Sequence, residues 1–287
     1  MTQEILREPV GRAPRPDPRP RVGVLLRILP NALYAGRARV LVERSLMVNR
    51  RTWLAVVSGF FEPLFYLVAM GLGFGTLTGA VVGPGGQPIS YVAFVAPALL
   101  AASAMNGAVY DATFNIFFKF KYAKLYDAML ATPLGPIDVA VGEIAWALLR
   151  GGLYSTGFLT VMLAMGLVSS AWGLLIVPAA LLIAFGFAAI GMACTTFMRS
   201  WQDFDLVQLA LTPMFLFSTT FFPLTVYPTA VQVGVRCFPL YHGIEIMRAL
   251  SAGVVNVSIL GHLAYFLVMA GVGVVIAARR LGVLLLR

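Results

Sequence analysis

Four ionisable residues lie in or beside long apolar stretches of this sequence: Glu62, Asp111, Glu143 and Arg150. A charge in hydrocarbon is costly, so residues of this kind are candidates for function. Glu62 is predicted to be the deepest, because nine residues separate it from Trp53, or about 13 Å along a helix. Pro63 follows it and favours a bend. Two interpretations stay open: the carboxyl lines a substrate path or takes up a proton, or it holds helices together.

The other three charges are predicted nearer the inner ends of their helices. Asp111 and Arg150 belong to adjacent antiparallel helices, and we expect them to form an ion pair. The alternative for Arg150 is that its long side chain reaches toward the lipid headgroups. Glu143 is predicted at the inner boundary of the membrane, where solvation by water explains its charge.

Motifs of catalysis are absent from the sequence. No lysine follows a glycine as in a phosphate-binding P-loop, and no Gly-x-Ser-x-Gly motif occurs. The two histidines, His242 and His262, are both predicted near the outer side. With so few histidines and cysteines we expect no metal site and no cofactor in this chain. The sequence predicts no catalysis by the chain alone.

The composition indicates a membrane protein. Of the 287 residues 60% are hydrophobic and 11% charged, against about half and a quarter in soluble domains. This excludes an ordinary soluble enzyme and a disordered protein. A helical span needs roughly 20 apolar residues, and we predict an all-α polytopic fold with six. The spans are expected at about 53–75, 92–117, 138–168, 173–197, 206–222 and 257–278.

The positive charge is concentrated on one side of the predicted spans. The chain carries 21 basic and 12 acidic residues, and 11 of the basic ones precede residue 52. The positive-inside rule therefore places both termini in the cytoplasm. This distribution argues for contact with lipid rather than nucleic acid. We predict a disordered Arg/Pro-rich arm at 1–22, a membrane domain at 52–280 and a cytoplasmic tail at 281–287.

Residues 23–51 are predicted to form an interfacial helix along the inner leaflet. Leu33, Val40 and Met47 recur every seven residues on one broad apolar face, which Arg37 and Arg44 interrupt. These arginines either reach the headgroups or meet acidic partners.

The inner loop that begins at Lys119 has two open interpretations, an ordinary solvated loop or a docking element for a cytosolic partner. The second rests on Tyr126, Met129 and Leu130, which give a short helix an apolar side. Exposed apolar residues of this kind are typical of a binding surface.

Residues 223–252 are too polar to span and too apolar for a plain loop. Pro223 and Pro239 interrupt the segment, and Glu245 and Arg248 have the i,i+3 spacing of a helical ion pair. We predict two short helices that enter the outer leaflet and return.

Several segments, in this order and spacing, carry a resemblance to a known family. They are Phe61–Tyr66, Gly71–Gly75, Tyr126–Leu134 with Val141–Glu143, Phe221–Leu224 and Phe238–Arg248. Over about residues 30–280 the chain resembles the membrane subunits of ABC-2 type exporters, in particular nodulation-factor export permeases and daunorubicin-type drug resistance permeases.

The resemblance implies roles for three segments. The helix before the first span, with Arg37, Glu43 and Arg44, looks like the family's connecting helix. The segment 223–252, with Pro223, Pro239, Glu245 and Arg248, looks like its outer re-entrant gate. The coupling helix, which docks in a separate ATPase subunit, corresponds to Lys124, Leu125, Tyr126, Asp127, Ala128, Met129 and Leu130.

The resemblance also implies partners and a mechanism. Two ATPase subunits, which bind ATP and Mg, would drive two membrane subunits, identical or different, by alternating access. The substrate would be an amphiphile (a drug, lipid or lipo-oligosaccharide) exported across a bacterial inner membrane. The rival interpretation is a proton-coupled secondary transporter that uses Glu62. A membrane-embedded transferase and an assembly scaffold explain fewer of these features.

Overall fold

The computed structural model describes residues 38–50, 53–130 and 136–285. The predicted arm, residues 1–22, and Arg37 lie outside this part of the chain. The helices are α1 (Ala38–Asn49), α2 (Trp53–Thr78), α3 (Tyr91–Tyr110), α4 (Ile116–Lys121), α5 (Leu125–Leu130), α6 (Pro136–Ala164), α7 (Ile176–Thr195), α8 (Asp203–Phe217), α9 (Thr229–Cys237), α10 (Pro239–Ala252) and α11 (Ser258–Leu285).

Four of the described helical segments are long and apolar enough to cross a membrane. They are Tyr91–Lys121, Val141–Ala164, Ala171–Thr195 and Ser258–Ala277. They coincide with the second, third, fourth and sixth predicted spans. The helix α2 occupies the place of the first, and its segment Pro63–Thr78 is apolar but shorter. Membrane-crossing helices are therefore present, and a total of six stays a prediction.

The helix α8 stands where the fifth span was predicted but ends earlier, at Phe217 rather than 222. Its 15 residues extend over about 22 Å, less than the roughly 30 Å of the hydrocarbon core. The chain turns away at Thr219, whose φ of 63° is left-handed. The side chain of Arg248, described below, donates to the carbonyls of Thr219 and Thr220 in this turn.

The outer loop after α2, predicted to be irregular, contains a short β-hairpin. The strands β1 (Ala80–Val82) and β2 (Pro88–Ser90) pair antiparallel. Gly85 and Gly86 between them have φ of 75° and 78°, which favours glycine in a tight turn. Ser90 then caps α3 by accepting a hydrogen bond from the amide of Ala93. The described fold is thus helical apart from this hairpin.

The core is built around α3 and α7, which are the most deeply buried spans. The last helix, α11, packs on α7 at very short range. A Cβ at Gly273 would lie 2.6 Å from the backbone carbon of Ala189, so only glycine allows this approach. Small residues commonly let membrane helices pack in this way. The result is a rigid scaffold against which α2, α6 and α8 enclose a cavity.

Candidate functional site

A cavity of about 610 Å³ lies between α2, α3, α6 and α8. Its wall combines aromatic rings with hydroxyl, amide and charged groups. The aromatic members are Tyr66, Tyr110, Phe114, Tyr154, Phe204 and Phe215, and the polar members are Ser103, Asn106, Thr113, Arg150, Asp205 and Gln208. A mixed lining of this kind, mainly apolar with a few placed polar groups, is typical of ligand pockets.

The predicted pair of Asp111 and Arg150 is present at this wall. Nη2 of Arg150 lies 2.5 Å from Oδ1 of Asp111, and the carboxylate side chain is 6% exposed. Asn115 donates a long hydrogen bond of 3.5 Å to the same oxygen. The guanidinium also lines the cavity and lies 5.9 Å from the ring centre of Tyr154. Arg150 therefore joins α3 to α6 and does not simply reach toward solvent.

The carboxylate of Asp111 lies at the start of a π-helical turn, residues Asp111–Asn115. Such turns interrupt the helical hydrogen bonding and are frequent at functional sites. The helix α7 supports this one: Thr195 Oγ1 donates to the carbonyl of Ala112 over 2.8 Å. Gly191 provides the space, since a Cβ there would lie 3.1 Å from that of Ala112.

Glu143 is buried, which corrects the expectation of a solvated boundary carboxylate. It is 7% exposed, and Nζ of Lys119 donates to its Oε2 over 2.6 Å. The prediction was wrong because it treated Lys119 as part of a solvated loop. The lysine instead sits at the end of α4, which continues α3, and faces α6. Asp111–Arg150 and Lys119–Glu143 are thus two ion pairs between the same two helical segments.

The short helix α5 packs against the chain through the residues that were expected to form its docking surface. Tyr126 is 2% and Met129 7% exposed, so the predicted exposed apolar side is wrong in these two positions. The side chains of Asp127 and Leu130 lie outside the described ones. Around the helix the exposed residues are Lys121, Tyr122, Ala123, Lys124 and Ala128.

Burial of Tyr126, with the adjacent Glu143 carboxylate, raises the pKa of its phenol well above the ordinary value of 10. Arg44 of α1 opposes this shift. The phenol therefore stays neutral. Tyr126 lies where α5 meets α1 and α6. Sequence reasoning named Tyr126, Glu143 and Arg44 separately but did not bring them together.

The helix α1 has the place of the predicted connecting helix and packs on α6. Leu41 and Val42 are buried, and Val42 contacts Trp146. Val40 is 53% and Met47 68% exposed, and that this apolar face lies along the inner leaflet stays a prediction. Arg39 and Glu43 form an i,i+4 ion pair at 3.6 Å.

Glu62 lies in α2, as predicted, and the helix continues through Pro63. Its side chain is outside the described ones, so its role stays a prediction. Pro63 itself is buried and lines the cavity. This places the backbone of Glu62 next to a residue of the cavity wall.

The segment 223–252 contains two helices, as predicted. A short turn follows Pro223, the helix α9 ends at Cys237, and Pro239 occupies the first turn of α10. Proline favours that position because its missing amide would be unpaired there.

Arg248 has a different role from the one that its spacing to Glu245 suggested. The pair exists, but Nη1 of Arg248 lies 3.9 Å from the carboxylate. The guanidinium is 5% exposed and donates to the carbonyls of Phe94 (3.1 Å) and Thr219 (2.6 Å). It also stacks 3.6 Å from the ring centre of Phe94. Its main partners are backbone atoms, which sequence spacing could not reveal.

Comparison with known proteins agrees with this architecture. The family model for the ABC-2 type transporter matches residues 37–251. The chain belongs to the ABC-2 type transporter family. It is 32% identical over 213 residues to Nodulation protein J of Rhizobium leguminosarum bv. trifolii, a match that covers 74% of this chain and 79% of that relative. Identity to Nodulation protein J of Rhizobium meliloti is 30%, with the same coverage.

Membership confirms the resemblance found in the sequence. The chain is a multi-pass membrane protein and an ABC transporter permease. The matched range contains α1, α5, α9 and all but the last residue of α10, which belong to the three segments that the resemblance singled out.

Proposed function

We propose that this chain is the membrane subunit of an ATP-driven exporter in a bacterial inner membrane. It moves an amphiphilic substrate out of the cytoplasm or inner leaflet by alternating access, with both termini in the cytoplasm. Two copies of a P-loop ATPase subunit bind ATP and Mg and supply the energy. The observation that carries this proposal is a cavity whose wall shares two ion-paired helical segments with Glu143. Glu143 in turn lies beside Tyr126 of the helix expected to meet the ATPase.

The lining of the cavity supports an amphiphilic substrate. Phe114 and Phe215 offer apolar surface, and Asn106 and Gln208 offer hydrogen bonds. A substrate with both an apolar and a polar part satisfies both kinds of group, whereas a small ion leaves the apolar part of the wall without a partner. The apolar and the hydrogen-bonding groups of the wall together favour a molecule that would otherwise lie in the inner leaflet.

The two ion pairs give a path for mechanical coupling. A push on α5 is transmitted to Glu143 through Tyr126, and Glu143 is bonded to Lys119 at the end of α4. The same pair of helical segments carries Arg150, which lines the cavity. A rigid-body displacement at the cytoplasmic end therefore changes the cavity wall, as alternating access requires.

The ATPase contact is assigned to the exposed residues near α5 rather than to its buried ones. Lys121, Tyr122, Lys124 and Ala128 are all exposed. The buried Tyr126 and Met129 hold the helix in place and transmit its motion. This division explains how one short helix can bind a partner and remain attached to the membrane domain.

A second membrane subunit, identical or different, would complete the cavity. Tyr66 of α2 and Gln208 of α8 belong to the lining and are exposed in the single chain. Polar groups exposed to hydrocarbon are costly, so a protein surface opposite them is favoured over lipid. A second copy of this chain and a different product of the same operon would both fit.

The test is a pull-down of the tagged full-length protein in mild detergent, followed by an ATPase assay. We expect a P-loop ATPase to co-purify and substrate transport in vesicles to require ATP. Lys124→Gln and Ala128→Arg should weaken the complex at least tenfold without loss of membrane insertion. Arg199→Gln, which removes another exposed charge on the inner side, is the matched control and should bind normally.

Two results would contradict the proposal. One is normal ATP-driven transport when Lys124 and Ala128 are both replaced, which excludes this surface as the contact. The other is transport that follows a proton gradient with no ATPase in the complex. That result favours the secondary transporter and makes Glu62→Gln the next variant to measure.

A further inference from the structure

The two histidines of the chain, His242 and His262, form a contact that the exporter mechanism above does not use. His242 lies on α10 and His262 on α11, and their Nδ1 atoms are 2.7 Å apart. Both rings are half-buried. The pair therefore joins the helix of the outer segment to the last membrane helix.

This distance is that of a hydrogen bond, and it limits how many protons the two rings can carry together. A neutral imidazole has one nitrogen that donates and one that accepts. A contact between two Nδ1 atoms thus needs a donor on one ring and a lone pair on the other. The pair holds when it carries no extra proton or one. When both rings are protonated, two donors and two positive charges face each other, and the bond is lost.

Aromatic rings surround the pair. The ring of Tyr265 stacks on His242 with a centroid distance of 4.1 Å and an angle of 23°. Tyr241 meets both imidazoles edge-on, at 5.5 and 6.1 Å. From α9, the carbonyl of Arg236 faces His242, and the carbonyl of Cys237 accepts from the hydroxyl of Tyr265.

Among the described residues, no carboxylate pairs with the two rings to neutralise their double protonation. Within the part of the chain that the structure describes, neither imidazole forms an ion pair with a carboxylate. Glu245, the acidic residue of α10, pairs instead with Arg248. A metal ion is also a poor occupant, because among the described residues no third His, Cys, Asp or Glu joins the two rings.

We propose that the His242–His262 pair is a proton-sensitive lock between α10 and α11. Near neutral pH the pair fastens the outer segment to the membrane domain. The positive charge of the first proton repels the second. The second proton therefore binds only below the ordinary histidine pKa of about 6.5, and it breaks the bond and releases α10. Its location on the outer side rests on the topology of the proposed function, whereas the pairing itself does not.

The experiment measures thermal unfolding of the full-length chain in lipid nanodiscs at pH 7.5 and pH 5.0. The proteins are wild type, His242→Phe, His262→Phe and the double variant, because phenylalanine keeps the stacked ring but has no nitrogen. In this cycle we expect a favourable coupling at pH 7.5 that disappears or changes sign at pH 5.0. Acidification should lower the melting temperature of wild type by roughly 2–4 °C more than that of the double variant.

A second measurement detects the release directly. Spin labels at Val233 and Leu260, both exposed on α9 and α11, should move apart on acidification in wild type and stay unchanged in the double variant. Equal acid responses in the two proteins would overturn the lock. A wild-type stabilisation that EDTA removes would overturn it in favour of a metal site. None of these measurements requires transport or an ATPase, so their outcome is independent of the proposed function.

Discussion

Nζ of Lys119 lies 2.6 Å from Oε2 of Glu143, two helical turns away from the ion pair of Asp111 and Arg150. The two pairs connect the inner end of the second predicted span to α6. One lies at the cavity wall, and the other lies beside Tyr126 of α5. This arrangement gives the proposed coupling path a structure that mutation can test at each end.

Exchange of the charges in the deeper pair tests whether the pairing itself matters. Asp111→Asn and Arg150→Gln should each lower stability by about 3 kcal/mol, because each leaves the other charge unpaired in a mostly buried place. The exchanged protein, Asp111→Arg with Arg150→Asp, should recover more than half of the lost stability and ATP-driven transport. Thermal unfolding and vesicle transport measure this. Failure of the exchange to recover either quantity would count against a role for the pair.

The shallower pair should control coupling more than the phenol beside it does. Glu143→Gln removes the counter-ion of Lys119, and we expect a loss of about 2 kcal/mol together with ATPase activity that no longer responds to substrate. Tyr126→Phe keeps the buried ring and should cost less than about 1 kcal/mol. An ATPase assay of the reconstituted complex compares the two. Equal effects of both variants would indicate a general loss of packing at α5 instead.

The second of these pairs was predictable from the first, although the sequence argument did not find it. Lys119 comes eight residues after Asp111, and Glu143 comes seven residues before Arg150. When two antiparallel helices are in contact at one pair of residues, the residue two turns later on one helix lies next to the residue two turns earlier on the other. The sequence argument assigned Lys119 to a solvated loop, and it therefore did not consider that this lysine could face Glu143. Burial of Tyr126 was hidden for a related reason: a short apolar face looks the same whether a partner or the chain itself covers it.

Other features were beyond the reach of sequence patterns. Arg248 binds backbone carbonyls and a ring from residues 29 and 154 positions away, and backbone acceptors leave no mark on composition or spacing. The π-helical turn at Asp111 depends on Thr195 and Gly191 of another helix. The four described helical segments that can cross a membrane, by contrast, were predictable because their length and apolarity are local properties.

Arg248 is predicted to contribute more to the stability of the fold than Glu245, the acidic residue with which it forms an ion pair. Arg248→Gln should cost about 3–5 kcal/mol, because it removes a buried charge that satisfies the carbonyls beyond the end of α8. Arg248→Lys should recover only part of this, since one ammonium cannot reproduce the forked donors. Glu245→Gln should cost less than about 1 kcal/mol, since the ion pair is long and its carboxylate is 38% exposed. Thermal unfolding of the three variants gives the order, and a larger effect at Glu245 would reverse this assignment.

The inner loop before α8 should loosen in acid. The amides of Arg199 and Ser200 donate to Oδ2 of Asp203 over 2.6 and 3.1 Å, and these bonds lower the pKa of that carboxyl below its ordinary value of 3.8. The stabilisation is therefore complete above pH 3.8 and is lost as the pH falls through the lowered pKa. Limited proteolysis at pH 6 and pH 3 should show new cleavage near Arg199 only in acid. Asp203→Asn should be cleaved at both pH values, and protection of this variant at pH 6 would contradict the prediction.

The π-helical turn should depend on one hydroxyl of α7. Thr195→Val keeps the shape of the side chain but removes the hydrogen bond to the Ala112 carbonyl, and we expect a loss of about 1–2 kcal/mol. Thr196→Val is the matched control, because the hydroxyl of Thr196 bonds only within its own helix, to Ala193. The turn is expected to position Asp111 for its ion pair with Arg150. In a double-mutant cycle, Asp111→Asn should therefore cost less stability in the Thr195→Val background than in wild type. Additive losses would mean that Thr195 stabilises α7 without setting the position of the ion pair.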